Sequence, residues 1–289
     1  IKEDQENLKV LTGNLLSKIN LRSEVDDIHQ IEFKVFSQFG DDGIIQYIIN
    51  KLKINDDFQN FIEFGVEDYN ESNTRFLLYN NNWSGLIIDS SKKNLDFIKK
   101  SNYFWKYDLE AKCEFINADN INSIIKNSNI KKNIGLLSID LDGNDYWVWK
   151  KIDIIDPIIV VIEYNSIFGF EEKISIPYDK DFVRSKAHFS NLYWGASLEA
   201  FKYLADKKNY KFICTNSAGN NAYFVKNSHA QNLNINLNKK FYESKFRESR
   251  DANGMKNYLT GKEKIKEILD LEVINVESSK KIKIKEVIK

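Results

Sequence analysis

Four short apolar runs constrain this chain more than any other feature. They occupy residues 61–64, 85–89, 135–140 and 158–164, and each carries an acid at or near its carboxyl end: Glu63, Asp89, Asp140 and Glu163. The fourth run is almost continuously apolar, as a strand buried on both faces should be. Segments with helical spacing follow the runs, at about 73–80, 95–100, 121–126, 146–152 and 197–206. Strands alternating with helices imply an α/β fold with a Rossmann-like, mostly parallel sheet covered on both faces. A further strand is read at 115–117, and two closing strands at 211–215 and 221–225. Only five residues join the closing pair, enough for a hairpin but too few for a crossover, so the last strand is expected to be antiparallel.

Three regions follow. Residues 1–35 read as a helical lead-in, with a second helix from Asp41 or Asp42 to about Leu52. Residues 36–228 hold the alternating core, and residues 229–289 are a charged extension expected to pack on or near it. With 289 residues and 42% hydrophobic content, a sizeable core can form. Basic and acidic residues number 42 each, which argues against a nucleic-acid protein relying on bulk charge. Cys113 and Cys214 cannot supply a disulfide framework or a thiolate zinc site, and they suit a reducing cytoplasm. No run approaches a membrane span, and no signal peptide is visible. A chain opening on Ile1 rather than Met is read as part of a longer one.

The loop after the first run narrows the ligand. Glu63-Phe64-Gly65-Val66-Glu67-Asp68 has one glycine where a dinucleotide fingerprint has three, and it places Glu67 and Asp68 where a pyrophosphate would lie. NAD, FAD and ATP are therefore poor candidates. A phosphate-free, positively charged adenosyl ligand fits better, namely S-adenosylmethionine. Asp89 is placed to accept the ribose hydroxyls, and Asp119 to reach adenine. Read singly, Glu67 and Asp68 also suit a solvated loop, and Asp89 a helix cap.

The ordered pieces resemble a class I S-adenosylmethionine-dependent methyltransferase, more narrowly the FkbM-like group and related bacterial sugar O-methyltransferases. They are Ser37-Gln38-Phe39-Gly40-Asp41-Asp42-Gly43, Phe61-Ile62-Glu63-Phe64-Gly65, Ser72-Asn73-Thr74, Trp83-Ser84-Gly85-Leu86-Ile87-Ile88-Asp89, the 137–147 segment with Asp140, Asp142 and Asp145, and Val161-Ile162-Glu163-Tyr164-Asn165. Gly195-Ala196-Ser197-Leu198 and Gly219-Asn220-Asn221-Ala222 continue the series. The resemblance implies a seven-stranded sheet and a cofactor site formed by Gln38, Glu63, Gly65, Asn73, Thr74, Asp89, Ser90, Ala118, Asp119 and Asp140. It also implies O-methylation of a small-molecule acceptor, a sugar or nucleotide sugar of surface polysaccharide or capsule biosynthesis, and leaves room for a homo-oligomer.

An alkyl hydroxyl needs a general base or a metal before it can accept a methyl group at neutral pH. Asp140, Asp142 and His188 are the candidate catalytic residues. Asp140, Glu163 and Asn165 are candidate ligands for Mg²⁺ or another divalent cation. Alternatively, the same acids bind acceptor hydroxyls, and His188 is a loop histidine without a role. Tyr164, Tyr178 and Trp194 are candidate stacking residues. Arg247 and Arg250 would hold an anionic acceptor if the tail folds over the site, and otherwise form a solvated face. The Asp140-x-Asp142 pair also matches a phosphatase nucleophile motif and a glycosyltransferase metal motif, and a non-catalytic adenosyl-binding module is a further reading.

Overall fold

The computed structural model describes residues 2–231, 233 and 242–288. Its strands are β1 (Asn60–Phe64), β2 (Ser84–Asp89), β3 (Leu109–Cys113), β4 (Leu136–Ile139), β5 (Ile159–Glu163), β6 (Ile174–Ser175), β7 (Tyr210–Thr215), β8 (Asn221–Lys226), β9 (Glu272–Asn275) and β10 (Lys280–Lys283). The helices are α1 (Lys2–Arg22), α2 (Asp41–Leu52), α3 (Arg75–Asn81), α4 (Lys92–Lys100), α5 (Asn102–Lys106), α6 (Ile121–Lys126) and α7 (Asp145–Lys151). After them come α8 (Arg184–Ala187), α9 (Leu198–Lys207), α10 (Asn227–Ala230), α11 (Lys262–Lys266) and α12 (Ile284–Val287).

The main sheet has seven strands in the order β3-β2-β1-β4-β5-β8-β7. β1 to β5 run parallel, and β8 lies antiparallel between β5 and β7. This is the Rossmann-like sheet expected from the alternation, with its antiparallel last strand. The chain moves outward from β1 to β2 and β3, then returns to place β4 on the other side of β1. That reversal opens a crevice at the carboxyl ends of β1 and β4, where open α/β sheets bind ligands.

Period-two alternation divides the strand side chains between two cores. Phe61, Ile87, Leu136, Ile159 and Val161 pack with Ile44, Ile45 and Ile48 of α2. Ile62, Phe64, Leu86, Ile88, Leu137, Ile139, Val160 and Ile162 pack with α6, α7 and α9 on the other face. Both rows are apolar because both faces are covered. α9 shows how local chemistry sets an element. The Ser197 hydroxyl accepts from the Ala200 N–H at 3.1 Å and caps the helix. Leu198, Phe201, Leu204 and Ala205 then recur at helical spacing on the buried side.

The third strand corrects the reading at 115–117. It is Leu109–Cys113, at the sheet edge, and only Leu109 in it is fully buried. An edge strand tolerates charge along its open side, so Glu110 and Lys112 hide it from a search for apolar runs. Ile116 packs into the core from the following loop, while Phe115 remains exposed.

A second sheet, in the order β10-β9-β6, joins residues 174–175 of the insertion after β5 to the C-terminal region. Its own small core contains Phe168, Ile174, Ile176, Leu192, Ile268, Val273 and Ile284. The C-terminal segment also crosses the ligand edge of the main sheet. The Tyr164 hydroxyl donates to the Tyr242 carbonyl at 2.8 Å, and the Ser244 N–H to the Ser166 hydroxyl at 2.9 Å. The tail passes so close to Gly219 that a Cβ there would lie 2.6 Å from the Tyr242 carbonyl oxygen. No helix among the described residues is long and apolar enough to cross a membrane.

Candidate active site

A cleft of about 540 Å³ lies beyond the carboxyl ends of β1, β2, β4 and β5. Nine acids line it: Glu63, Glu67, Glu71, Asp89, Glu114, Asp140, Asp142, Glu163 and Glu248. Among the described residues, the only basic one in its wall is Arg184. A wall this acidic repels a polyphosphate and favours a cationic ligand.

The carboxylates divide by role. Glu63 is buried at the end of β1, and its oxygens accept from the Ser72 hydroxyl at 2.6 Å, the Asn73 N–H at 2.8 Å and the Thr74 N–H and hydroxyl. Burial raises its pKa, and these donors oppose the rise. Glu63 therefore fixes the 72–74 loop while presenting one edge to the cleft. Asp89 accepts from the Glu67 N–H at 2.9 Å and the Ser91 N–H at 2.7 Å. It thereby ties the loop after β1 to the start of α4, which Ser91 caps.

Gly65 has φ +74°, and a Cβ there would overlap the Asp140 carbonyl oxygen. Only glycine combines that backbone angle with so close an approach to β4. The contact draws the loops after β1 and β4 together.

Of the three acids following β4, Asp145 faces inward. It is fully buried and accepts from the Leu141 N–H at 2.7 Å and the Gly143 N–H at 2.9 Å. It therefore holds the turn that carries Asp142, whose φ is +53°. Asp140 and Asp142 face the cleft with Glu163, and each can offer one oxygen within 4.8 Å of the others. Burial holds Asp140 well above the usual carboxylate range, and Asp142 and Asp145 reinforce the rise. Burial does the same to Glu163, reinforced by Asp140 and Asp142. One oxygen of Asp140 lies within 4.8 Å of one of Glu163. Two buried carboxyl groups this close oppose each other's ionisation, which is why both are pushed up.

Arg184 binds Asp142, donates from Nε to the Asn191 carbonyl at 2.9 Å, and lies over the Trp194 ring at 4.7 Å. Sequence reasoning passed over it. A signal was present, because only five of the chain's 42 basic residues are arginine. In a lysine-rich chain, arginine marks positions where a planar fork matters.

Gln38, Glu63, Gly65, Asn73, Asp89, Ser90, Asp140 and Asp142 line the cleft. Thr74 is buried behind it on Glu63. The misplaced third strand carries Ala118 and Asp119 outside the wall, where Asp119 accepts from the Tyr178 hydroxyl at 3.0 Å. Glu114, Phe115 and Ile116 take their place.

Asn165 is not in the oxygen cluster. Its amide donates to the Leu192 and Trp194 carbonyls, and its oxygen accepts from the Ile167 N–H. It braces the wall of a second cavity, of about 240 Å³. His188 lines neither cavity. Its Nδ1 lies 2.8 Å from the Ser190 hydroxyl, its ring rests on Phe189, and burial lowers its pKa. Arg250 also stands away from both cavities, on Glu248 and the Gly254 carbonyl, whereas Arg247 lines the second.

A switch-point crevice with this glycine contact and acidic wall defines a class I, S-adenosylmethionine-dependent methyltransferase-like protein. The profile described as the Methyltransferase FkbM domain matches residues 27–212, about two thirds of the sequence. The chain belongs to that family. No curated protein matches it. Similar solved structures include an O-methyltransferase from Bacillus cereus in complex with SAH, at 13% identity over 77% of this chain and 91% of that one, with TM-score 0.41. Another is an S-adenosylmethionine-dependent methyltransferase from Clostridium acetobutylicum ATCC 824, at 10% identity over 63% and 89%, with TM-score 0.39.

Proposed function

We propose that the protein is an S-adenosylmethionine-dependent O-methyltransferase. Its acceptor is a hydroxyl of a sugar or sugar-related small molecule, phosphorylated acceptors included, of cytoplasmic surface-polysaccharide or capsule biosynthesis. The observation that carries the enzymatic part is the Asp140–Glu163 pair, which stands where the acidic cleft meets the second cavity. The sugar and capsule assignments rest on the sequence resemblance.

The donor cleft fits the cofactor on two counts. Gly65 lines the cleft without a side chain to obstruct it, and the acids suit a ligand bearing a sulfonium and an ammonium. When bound, S-adenosylmethionine supplies a methyl group already activated on sulfur. Asp89 is positioned for ribose hydroxyls, and Gly65 and Asn73 for the methionine portion. The Asp140–Glu163 pair takes the acceptor proton, a role worth about 10²–10⁴ in rate for a positioned general base. Arg184 holds Asp142 beside the pair and limits the accumulated negative charge.

The Asp140, Asp142 and Glu163 oxygens also suit a hard divalent cation, and this favours a second version of the same reaction. Bound there, Mg²⁺ would lower the pKa of the acceptor hydroxyl.

Calorimetric titration with S-adenosylmethionine and S-adenosylhomocysteine tests the reading. Both are expected to bind, and Asp89→Ala to weaken both by tenfold or more. Failure of both to bind overturns it. Hydrolysis of p-nitrophenyl phosphate that is lost in Asp140→Asn would instead establish a phosphatase.

A further inference from the structure

The second cavity shares Gln38, Glu163, Arg184, Asn220 and Glu248 with the donor cleft, so the two adjoin. Its remaining walls come from the loop after β5, the insertion around Trp194, and tail residues 244–247 with Lys264. Among the described residues, its wall carries three cations, Arg184, Arg247 and Lys264, against two acids, Glu163 and Glu248. Trp194 Nε1 is buried and has no acceptor among the described residues. Lys264 is 4% exposed, and Nζ reaches only the Ser244 carbonyl, at a long 3.3 Å, among the described residues. Arg247 uses Nε on the Tyr258 carbonyl at 3.1 Å and lines the same space. Of the acids in the wall, Glu163 neighbours Asp140 and keeps one buried oxygen without a partner among the described residues, and Glu248 lies 3.7 Å from Arg250.

Burial of the Lys264 ammonium outweighs the attraction of nearby Glu243, and a buried cation left short of compensation is costly. An indole N–H fixed by packing adds direction, since it only donates. A neutral sugar ring would leave the excess of positive charge unmatched, whereas an anionic oxygen group can accept from these donors.

We propose that this cavity is the acceptor subsite and that it binds an anionic group on the acceptor, a carboxylate or a phosphate, through Lys264, Arg247 and Trp194 Nε1. The volume, about 240 Å³, is smaller than the ~300 Å³ lower bound of typical drug-sized pockets. It admits one small unit and leaves a hydroxyl on that unit facing the Asp140–Glu163 pair. This inference rests on the methyl-transfer reading of the neighbouring cleft.

The test uses the full chain with ¹⁵N-labelled indoles. The sequence has five tryptophans, and Trp194→Phe identifies the signal from position 194. Inorganic phosphate, glucose 6-phosphate and glucuronate are titrated, with glucose as the neutral control. At least one anion is expected to shift the Trp194 Nε1–H resonance, and glucose to leave it in place. Response to the phosphates alone identifies phosphate as the group, and response to glucuronate alone a carboxylate. Lys264→Met is expected to weaken the anion's binding about tenfold or more. The surface variant Arg247→Gln should do so in the same direction, with S-adenosylhomocysteine affinity unchanged in both. A resonance unmoved by every anion at tens of millimolar, or moved equally by glucose, overturns the proposal. Full anion affinity in both variants overturns it too. Loss of S-adenosylhomocysteine binding by the parent protein would instead remove the methyl-transfer reading, a separate result from a separate titration.

Discussion

Single residues in this site are held by unequal constraints, and substitutions should separate them. Glu163→Gln keeps the shape of the side chain but removes one member of the Asp140–Glu163 pair. Acceptor methylation should fall by about 10²-fold or more, with S-adenosylhomocysteine affinity within a few-fold of the parent by calorimetry. Gly65→Ala should act on folding instead. The added Cβ meets the Asp140 carbonyl at a left-handed φ, so stability should drop by more than ~1 kcal/mol in urea unfolding. Asp42, outside the site, offers a pH test. One of its oxygens accepts from the N–H groups of Val35, Phe36 and Ser37, yet burial pushes its pKa up to about 6. That lies above the ~3.9 of an unfolded Asp, so the folded state binds more protons between these values. The contribution is therefore fully present below about pH 4 and lost as pH rises through 6. Wild type should gain stability relative to Asp42→Asn, by an amount on the order of 3 kcal/mol, between pH 7 and 4. A gap that stays flat across that window rejects the assignment. The acids at strand ends were legible in sequence because an acid interrupting an apolar run is conspicuous. The scarcity of arginine marks Arg184, but its pairing with Asp142 was not legible, because the two lie 42 positions apart.

At the scale of elements, caps and strand ends carry most of the positioning. The Ser197 hydroxyl caps α9, accepts from the Ile174 N–H at 3.2 Å and donates to the Glu172 carbonyl. One hydroxyl thus joins α9 to β6. Ser197→Ala should cost about 1–2 kcal/mol, read as a lower denaturation midpoint, because a cap and a loop tie are lost together. The buried strands were readable from apolar content alone. β3 was not, because an edge strand needs only one row of contacts and carries Glu110 and Lys112. With β3 ending at Cys113, residues 114–116 rather than Ala118 and Asp119 line the cleft. β6, with two residues, is too short to leave a periodic signal, and only its pairing with β9 makes it a strand.

At the scale of the molecule, the main sheet and the smaller one make different contributions. The main sheet supplies the acidic cleft. The insertion after β5 and the tail supply much of the second cavity's wall, and they are joined through β6, β9 and a shared core. Val273→Asp would place a charge in that core, where the native side chain is fully buried. It should destabilise the protein by about 3 kcal/mol or more. It should also abolish acceptor-dependent turnover at temperatures where S-adenosylhomocysteine binding by the main sheet persists. The alternation of apolar runs and helical segments was enough to determine the doubly covered sheet, its antiparallel last strand and the acidic ligand edge, because those features follow from local periodicity and short connections. The tertiary structure alone decided which acids cluster at the cleft, which hold turns, and which distant cations line the second cavity. Those outcomes depend on burial and on contacts between residues far apart in the chain, such as Asp142 with Arg184 and Tyr164 with Tyr242, and no local pattern encodes them.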